Sequence, residues 1–154
     1  MVGYLELIIG PMFSGKTSAL ISLYKQYILY NENVCMLNYS LDKRYSNDKM
    51  TTHDKVGVDC IFVDSLESLF HNEYDIILIN EGQFFNDLVP IVKKWVEMDG
   101  KRVHIGALDG DYRREPFDNI SKLIPLCDNL TKRKSICIEC KNGYISSNID
   151  YNKN

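Results

Sequence analysis

The chain has 154 residues, enough to bury one core of ordinary size and too few for two catalytic domains. Hydrophobic residues make up 45% and charged residues 25%, the proportions of a folded globular chain and not of a disordered or fibrous one. A formal net charge of -3 argues against a dominant surface for nucleic-acid polymers or anionic membranes, while leaving room for a local basic pocket that takes a small anion.

The apolar stretch at residues 5–10 is too short to cross a bilayer, contains Glu6 and has no basic segment before it, so a cytoplasmic protein with no membrane partner is expected. Further apolar runs follow "YLELII" (4–9): "VCMLNY" (34–39), "DCIFVD" (59–64), "YDIILIN" (74–80) and "RVHIGALD" (102–109). Short continuous apolar strands are what a parallel sheet covered on both faces requires. Between the first two, residues 16–30 place Leu20, Leu23, Tyr24, Tyr27 and Ile28 at helical spacing. Residues 86–100 repeat that pattern, with Pro90 in the first turn and Gly100 as the stop. The polar segment at 41–57 has no sustained periodicity and reads as a surface loop.

After Pro125 the character changes. Two short strands around the Cys137-x-x-Cys140 knuckle are expected, then an Asn-rich tail frayed from Ser146. The expected division is a main α/β domain at 1–127 and a small element at 128–154. The five cysteines do not form a secreted disulfide pattern; Cys35, Cys60 and Cys127 are expected to be reduced core residues.

"GPMFSGKT" (10–17) fits G-x-x-x-x-G-K-[ST], with a strand before it and a helix after it. Gly10 and Gly15 let the backbone curl so that successive N–H groups of Pro11-Met12-Phe13-Ser14-Gly15 and the helix start face an anion, apart from the proline, which has none. Lys16 is suited to the β- and γ-phosphates, and Thr17 to Mg²⁺. At the end of another buried strand stand Asn80 and Glu81. Such a protein usually places Asp at the first of these positions; Asn80 accepts a hydrogen bond from a metal-bound water but supplies no charge. Glu81 is placed to take a proton from an attacking hydroxyl or water.

These motifs give nucleotide binding and phosphoryl transfer without naming the acceptor, so water and an alcohol both remain open. Phe84, Phe85, Tyr112 and Phe117 lie near strand ends, where they either wall an acceptor pocket or belong to the core. The fold class expected is α/β, a P-loop NTPase-like, mainly parallel sheet flanked by helices.

Taken in order, "GPMFSGKT", "LDKRYSNDKMTTHD" (41–54), "INEGQFF" (79–85), "GALDGDYRREPF" (106–117) and "LIPLCDNLTKRKSICIEC" (123–140) resemble the cytosolic and viral type of thymidine kinase. The resemblance implies transfer of the γ-phosphate of ATP, with Mg²⁺, to the 5′-hydroxyl of thymidine or deoxyuridine, in a homo-oligomer, a tetramer. It implies Glu81 as base, Lys16 and Thr17 at phosphate and metal, and Asp42 and Arg44 beside the phosphates, an Arg being suited to spreading charge there. Met12, Phe84, Leu108, Tyr112 and Phe117 match positions lining the nucleoside pocket, and His53 fits the pattern without an assigned role.

Three departures from the family pattern stand out. Asn80 replaces the usual Asp, Asn38 stands where Lys is frequent, and the sequence ends at Asn154 without the family's base-binding lasso or second zinc-ligand pair. Cys137 and Cys140 are therefore expected to form half of a zinc-ribbon-like site, and Zn²⁺ needs four ligands. The alternative to an active kinase is an ATP-binding remnant or regulator with little or no transfer.

Overall fold

The computed structural model describes residues 2–40, 49–51, 57–69, 73–136 and 144–145. The strands are β1 (Tyr4–Ile9), β2 (Val34–Tyr39), β3 (Lys49–Thr51), β4 (Gly57–Asp59), β5 (Ile61–Val63), β6 (Ile76–Ile79), β7 (Arg102–Ala107), β8 (Asn129–Lys132), β9 (Ser135–Ile136) and β10 (Tyr144–Ile145). The helices are α1 (Lys16–Leu29), α2 (Leu88–Glu97) and α3 (Asp118–Leu123).

Six strands form one sheet in the order β5-β2-β6-β7-β1-β8, and every pairing in it is parallel. The expected α/β class with a mainly parallel sheet is the fold observed. Strand alternation divides the core between the two faces. Leu5, Leu7, Ile9, Leu37, Ile77, Ile79, Val103 and Ile105 pack in one cluster with Trp95 and Val92 of α2 and Ile120 and Leu123 of α3. Ile8, Met36, Ile76 and Leu78 pack in a second cluster with Leu20 and Ile21 of α1. Both faces are covered, which is why the strands read as continuous apolar runs.

The expected strands at 4–9 and 34–39 are matched residue for residue. The expected strand at 59–64 divides at Cys60 into β4 and β5, and β4 pairs antiparallel with β3. Part of the expected loop at 41–57 is thus a strand pair; a three-residue strand is too short to display a period. On α1, Leu20 is buried as expected, whereas Ile28 is 48% exposed and Ile21 takes an inward place. α2 begins at Leu88, with Pro90 in its first turn, and Gly100 beyond its end has φ 66, a left-handed conformation suited to glycine.

Two elements were not visible as patterns. α3 has six residues, and β8 is exposed throughout its four residues, so neither displays an apolar stripe. β8 pairs with β1 from Glu6↔Asn129 to Ile9↔Lys132, so these residues, past the expected boundary at 128, belong to the main sheet. Beyond it, β9 and β10 pair antiparallel, the two short strands expected around the knuckle. Cys137 and Cys140 lie outside the described residues. Cys35 is buried, with burial pushing its thiol up to about 12; Cys60 and Cys127 are half-buried, and all three are free thiols.

On the α1 face, the buried His104 of β7 donates through Nδ1 to Glu6 Oε1 at 3.0 Å, and its Nε2 accepts from the Tyr27 hydroxyl at 2.8 Å. Asn129 donates to the other Glu6 oxygen at 2.8 Å. The network ties β7, β1, α1 and β8 together with each polar group satisfied by the neutral imidazole. Burial is the chief influence on His104 and lowers its pKa, the hydrogen bond and charge of Glu6 act in the opposite sense, and the Arg102 charge lowers it further. The unfolded chain therefore takes up the proton more readily. The contribution to stability is complete above the ordinary imidazole value of about 6.5 and is lost as pH falls through the lower folded value. Thermal unfolding followed across that acidic window is expected to show this slope, and His104→Gln to flatten it.

Candidate active site

The C-terminal ends of the six parallel strands lie along one edge of the sheet, where α/β proteins hold ligands. The segment from Gly10 to Thr17 leaves β1 and enters α1. Gly10 has φ 147 and Gly15 has φ 83, both on the left-handed side, and Phe13 joins them at φ 60. Pro11 O accepts from Ser14 Oγ at 2.7 Å and from Lys16 Nζ at 2.5 Å, while Lys16 Nζ also donates to Ser14 Oγ at 3.3 Å. The loop is closed upon its own lysine, which is buried. Gly15 is the N-cap of α1; that helix start has no side-chain cap and no acid in its first turn. Its uncapped N–H groups and dipole favour an anion.

Two strands away in the sheet, Asn80 and Glu81 directly follow β6. Thr17 Oγ1 donates to Asn80 Oδ1 at 3.3 Å, which brings the end of the phosphate loop and the end of β6 together. Asn80 Nδ2 in turn donates to Asn38 Oδ1 at 3.4 Å. The two positions that depart from the family pattern are therefore neighbours, both buried. Among the described residues, Asn38 Nδ2 has no hydrogen-bond partner. The donors at this end are uncharged oxygens from Thr17 and Asn80. That set suits Mg²⁺, which keeps several waters and draws negative charge from phosphates. No group of three or more His, Cys, Asp or Glu side chains forms a metal cluster among the described residues.

Glu81 is buried and stands at φ 57, ψ 44, a left-handed conformation that costs a non-glycine residue and persists only where the surroundings enforce it. The surroundings here are specific. Gln83 Nε2 donates to Glu81 Oε2 at 2.7 Å, and Gln83 Oε1 accepts from the Leu108 N–H at 3.1 Å. Asn119 Nδ2 of α3 reaches both Gln83 O and Phe85 O at 3.1 Å. A short 3-10 turn at Gly82–Phe84 is thereby tied to β7 and α3. The sequence places Gln83 two residues from an acid, yet its partners lie 25 and 36 residues away in the chain, so local spacing cannot assign it.

The four aromatic residues near strand ends differ in burial. Phe85 is fully buried in the core, and Phe117 packs against it from the start of α3. Phe84 is 42% exposed and stacks on Tyr39 with ring centroids 5.5 Å apart; Tyr112 is 46% exposed, with Arg113 over its ring at 5.4 Å. Met12 and Leu108 are half-buried at the same sheet edge. Beside the segment carrying Tyr112 opens a cavity of about 480 Å³ whose walls include Ile9, Asp109, Arg114, Leu130 and Lys132, with Lys132 Nζ paired to Asp109 Oδ2 at 3.0 Å. Asp42, Arg44 and His53 lie outside the described residues.

An all-parallel sheet that carries a phosphate loop on β1 and an enforced acid at the end of β6 defines an α/β nucleotide-binding protein of the phosphate-loop class. The sequence profile described as thymidine kinase matches residues 3–153, and the chain belongs to the thymidine kinase family. It is 42% identical over 140 residues to the thymidine kinase of sheeppox virus, an alignment covering 90% of this chain and 78% of that protein. It is 38% identical over 151 residues to the thymidine kinase of rabbit fibroma virus, covering 96% and 83%. It is also 39% identical over 145 residues to thymidine kinase a of Arabidopsis thaliana, covering 90% and 61%.

If Asn119 holds the Glu81 turn in place, Asn119→Ala leaves two carbonyls short of a donor and is expected to cost about 1–3 kcal/mol. A lowered urea midpoint with unchanged slope checks this; an unchanged midpoint would remove Asn119 from the account.

Proposed function

We propose that the chain is an ATP-dependent thymidine kinase that moves the γ-phosphate of ATP to the 5′-hydroxyl of thymidine, or of deoxyuridine, to give the 5′-monophosphate in nucleoside salvage. Family membership supports this reading, and the observation that carries it in the molecule is the contact between Thr17 and Asn80. That contact joins the phosphate loop to the strand end from which Glu81 projects.

In this reading Lys16 gives up its bonds to Pro11 and Ser14 for phosphate oxygens, and the backbone of 12–17 surrounds the phosphates. Thr17 and Asn80 would hold Mg²⁺ bound with the nucleotide, and the ion would supply neutralising charge to the phosphates. Glu81 accepts the 5′-hydroxyl proton as the phosphoryl group transfers. Gln83 keeps one Glu81 oxygen engaged and leaves the carboxylate oriented toward the acceptor. Arg44 and Asp42 serve the phosphates, while Met12, Phe84, Leu108, Tyr112 and Phe117 contribute to the nucleoside pocket. Aromatic side chains there would cover a planar base on its faces.

The same proposal includes association into a homo-oligomer and a cytoplasmic location. Among the described residues no helix is long and apolar enough to cross a membrane. Zn²⁺ at Cys137 and Cys140 would need two further ligands from outside that pair.

Glu81→Gln keeps the shape and removes the base. It is expected to bind ATP as the unmodified protein does and to lose about 100-fold or more in turnover. Full-rate transfer in this variant would assign the proton to another group. Lys16→Ala is expected to weaken ATP binding by about tenfold or more in a calorimetric titration, and unchanged affinity would contradict the phosphate-loop assignment.

A further inference from the structure

Arg133 follows β8 directly, 119 residues along the chain from Ser14. It touches the strand residue that leads into the phosphate loop and a carbonyl within the loop. Its backbone N–H donates to Ile9 O at 2.8 Å, continuing the β1–β8 ladder to the last residue before the loop. Its side-chain Nε donates to Ser14 O at 2.7 Å. The contacts also restrict the two glycines of the motif. A Cβ added to Gly10 would stand 2.6 Å from the Arg133 carbonyl oxygen, and one added to Gly15 would stand 3.1 Å from Arg133 Nη2. Both glycines therefore serve a close approach by this arginine as well as their own backbone conformation.

We propose that Arg133 is a positioning residue that clamps the phosphate loop, fixing the Ser14–Gly15 peptide in the orientation that presents the Gly15 N–H to a bound phosphate. The proposal rests on the phosphate-loop reading and adds to it a residue from the far end of the chain. In a planar trans peptide the C=O and the following N–H point in opposite directions. Holding the Ser14 carbonyl toward Arg133 therefore turns the Gly15 N–H away from it. The donor is a guanidinium, so the bond is charge-assisted. Polarisation of the peptide by that bond also makes the Gly15 N–H a stronger donor. The Arg133 backbone is anchored by the sheet, so the clamp depends on a single flexible side chain.

The test compares the full-length protein with Arg133→Ala and Arg133→Lys by titrating ATP, inorganic triphosphate and thymidine, with the Gly15 amide proton followed by NMR. Arg133→Ala is expected to bind ATP and triphosphate about five- to tenfold more weakly, with thymidine affinity unchanged, the Gly15 amide proton shifted upfield, and added guanidinium restoring part of the loss. Arg133→Lys, which can make one charged bond, is expected to fall between. Unchanged triphosphate affinity and an unmoved Gly15 resonance in Arg133→Ala would overturn the clamp while leaving the phosphate-loop reading intact. Equal weakening toward thymidine and triphosphate would mark a general structural role and overturn it too. Failure of the unmodified protein to bind ATP would overturn both readings.

Discussion

β1 is held on both sides. β7 pairs with it along all six of its residues and β8 along the last four, while Leu5, Leu7 and Ile9 pack toward α2 and α3 and Ile8 toward α1. A strand bonded at both edges and packed on both faces has little freedom to shift, so the backbone leaves it at Gly10 in one direction. The curl of the phosphate loop, the start of α1 and the position of Lys16 all follow from that exit. β7, lying between β1 and β6, sets the spacing across which the loop faces Glu81.

The ends of β2 and β6 beside the phosphate loop carry neutral amides. Asn38 and Asn80 are in contact and both buried, an uncharged amide pair at the end of the phosphate loop. The amide pair also has a direction: Asn80 donates to Asn38 and so presents its carbonyl oxygen to Thr17. The Thr17 hydroxyl proton is thereby committed to Asn80, and the lone pairs of that oxygen remain for a cation. The strained backbone of Glu81 is enforced by Gln83, Leu108 and Asn119, groups from three separate parts of the chain.

What could be read from the sequence follows from how local the information is. The five apolar runs show a sheet covered on both faces because each strand carries its own pattern, and G-x-x-x-x-G-K-[ST] is legible because its function is built from consecutive residues. β8 escaped because an exposed edge strand of sequence "NLTK" has no apolar face to display, and α3 because six residues make less than two turns. In the sequence Glu6 is only a charge that counts against a membrane span; its pairing with His104 needs a partner 98 residues away. Gln83 and Arg133 are the same kind of case. Their chemistry was visible as residue types, but what they hold is decided by the sheet order.

In the proposed reaction this chain, with neutral Asn80 at the end of the phosphate loop, transfers phosphate to a nucleoside. The most direct measurement is a radiolabelled transfer assay on the 154-residue protein with ATP, Mg²⁺ and thymidine, beside a control without acceptor that reports hydrolysis to water. Thymidine monophosphate formed well above the control is the predicted result. ATP bound without any transfer, or release of phosphate that thymidine does not divert, would contradict the account.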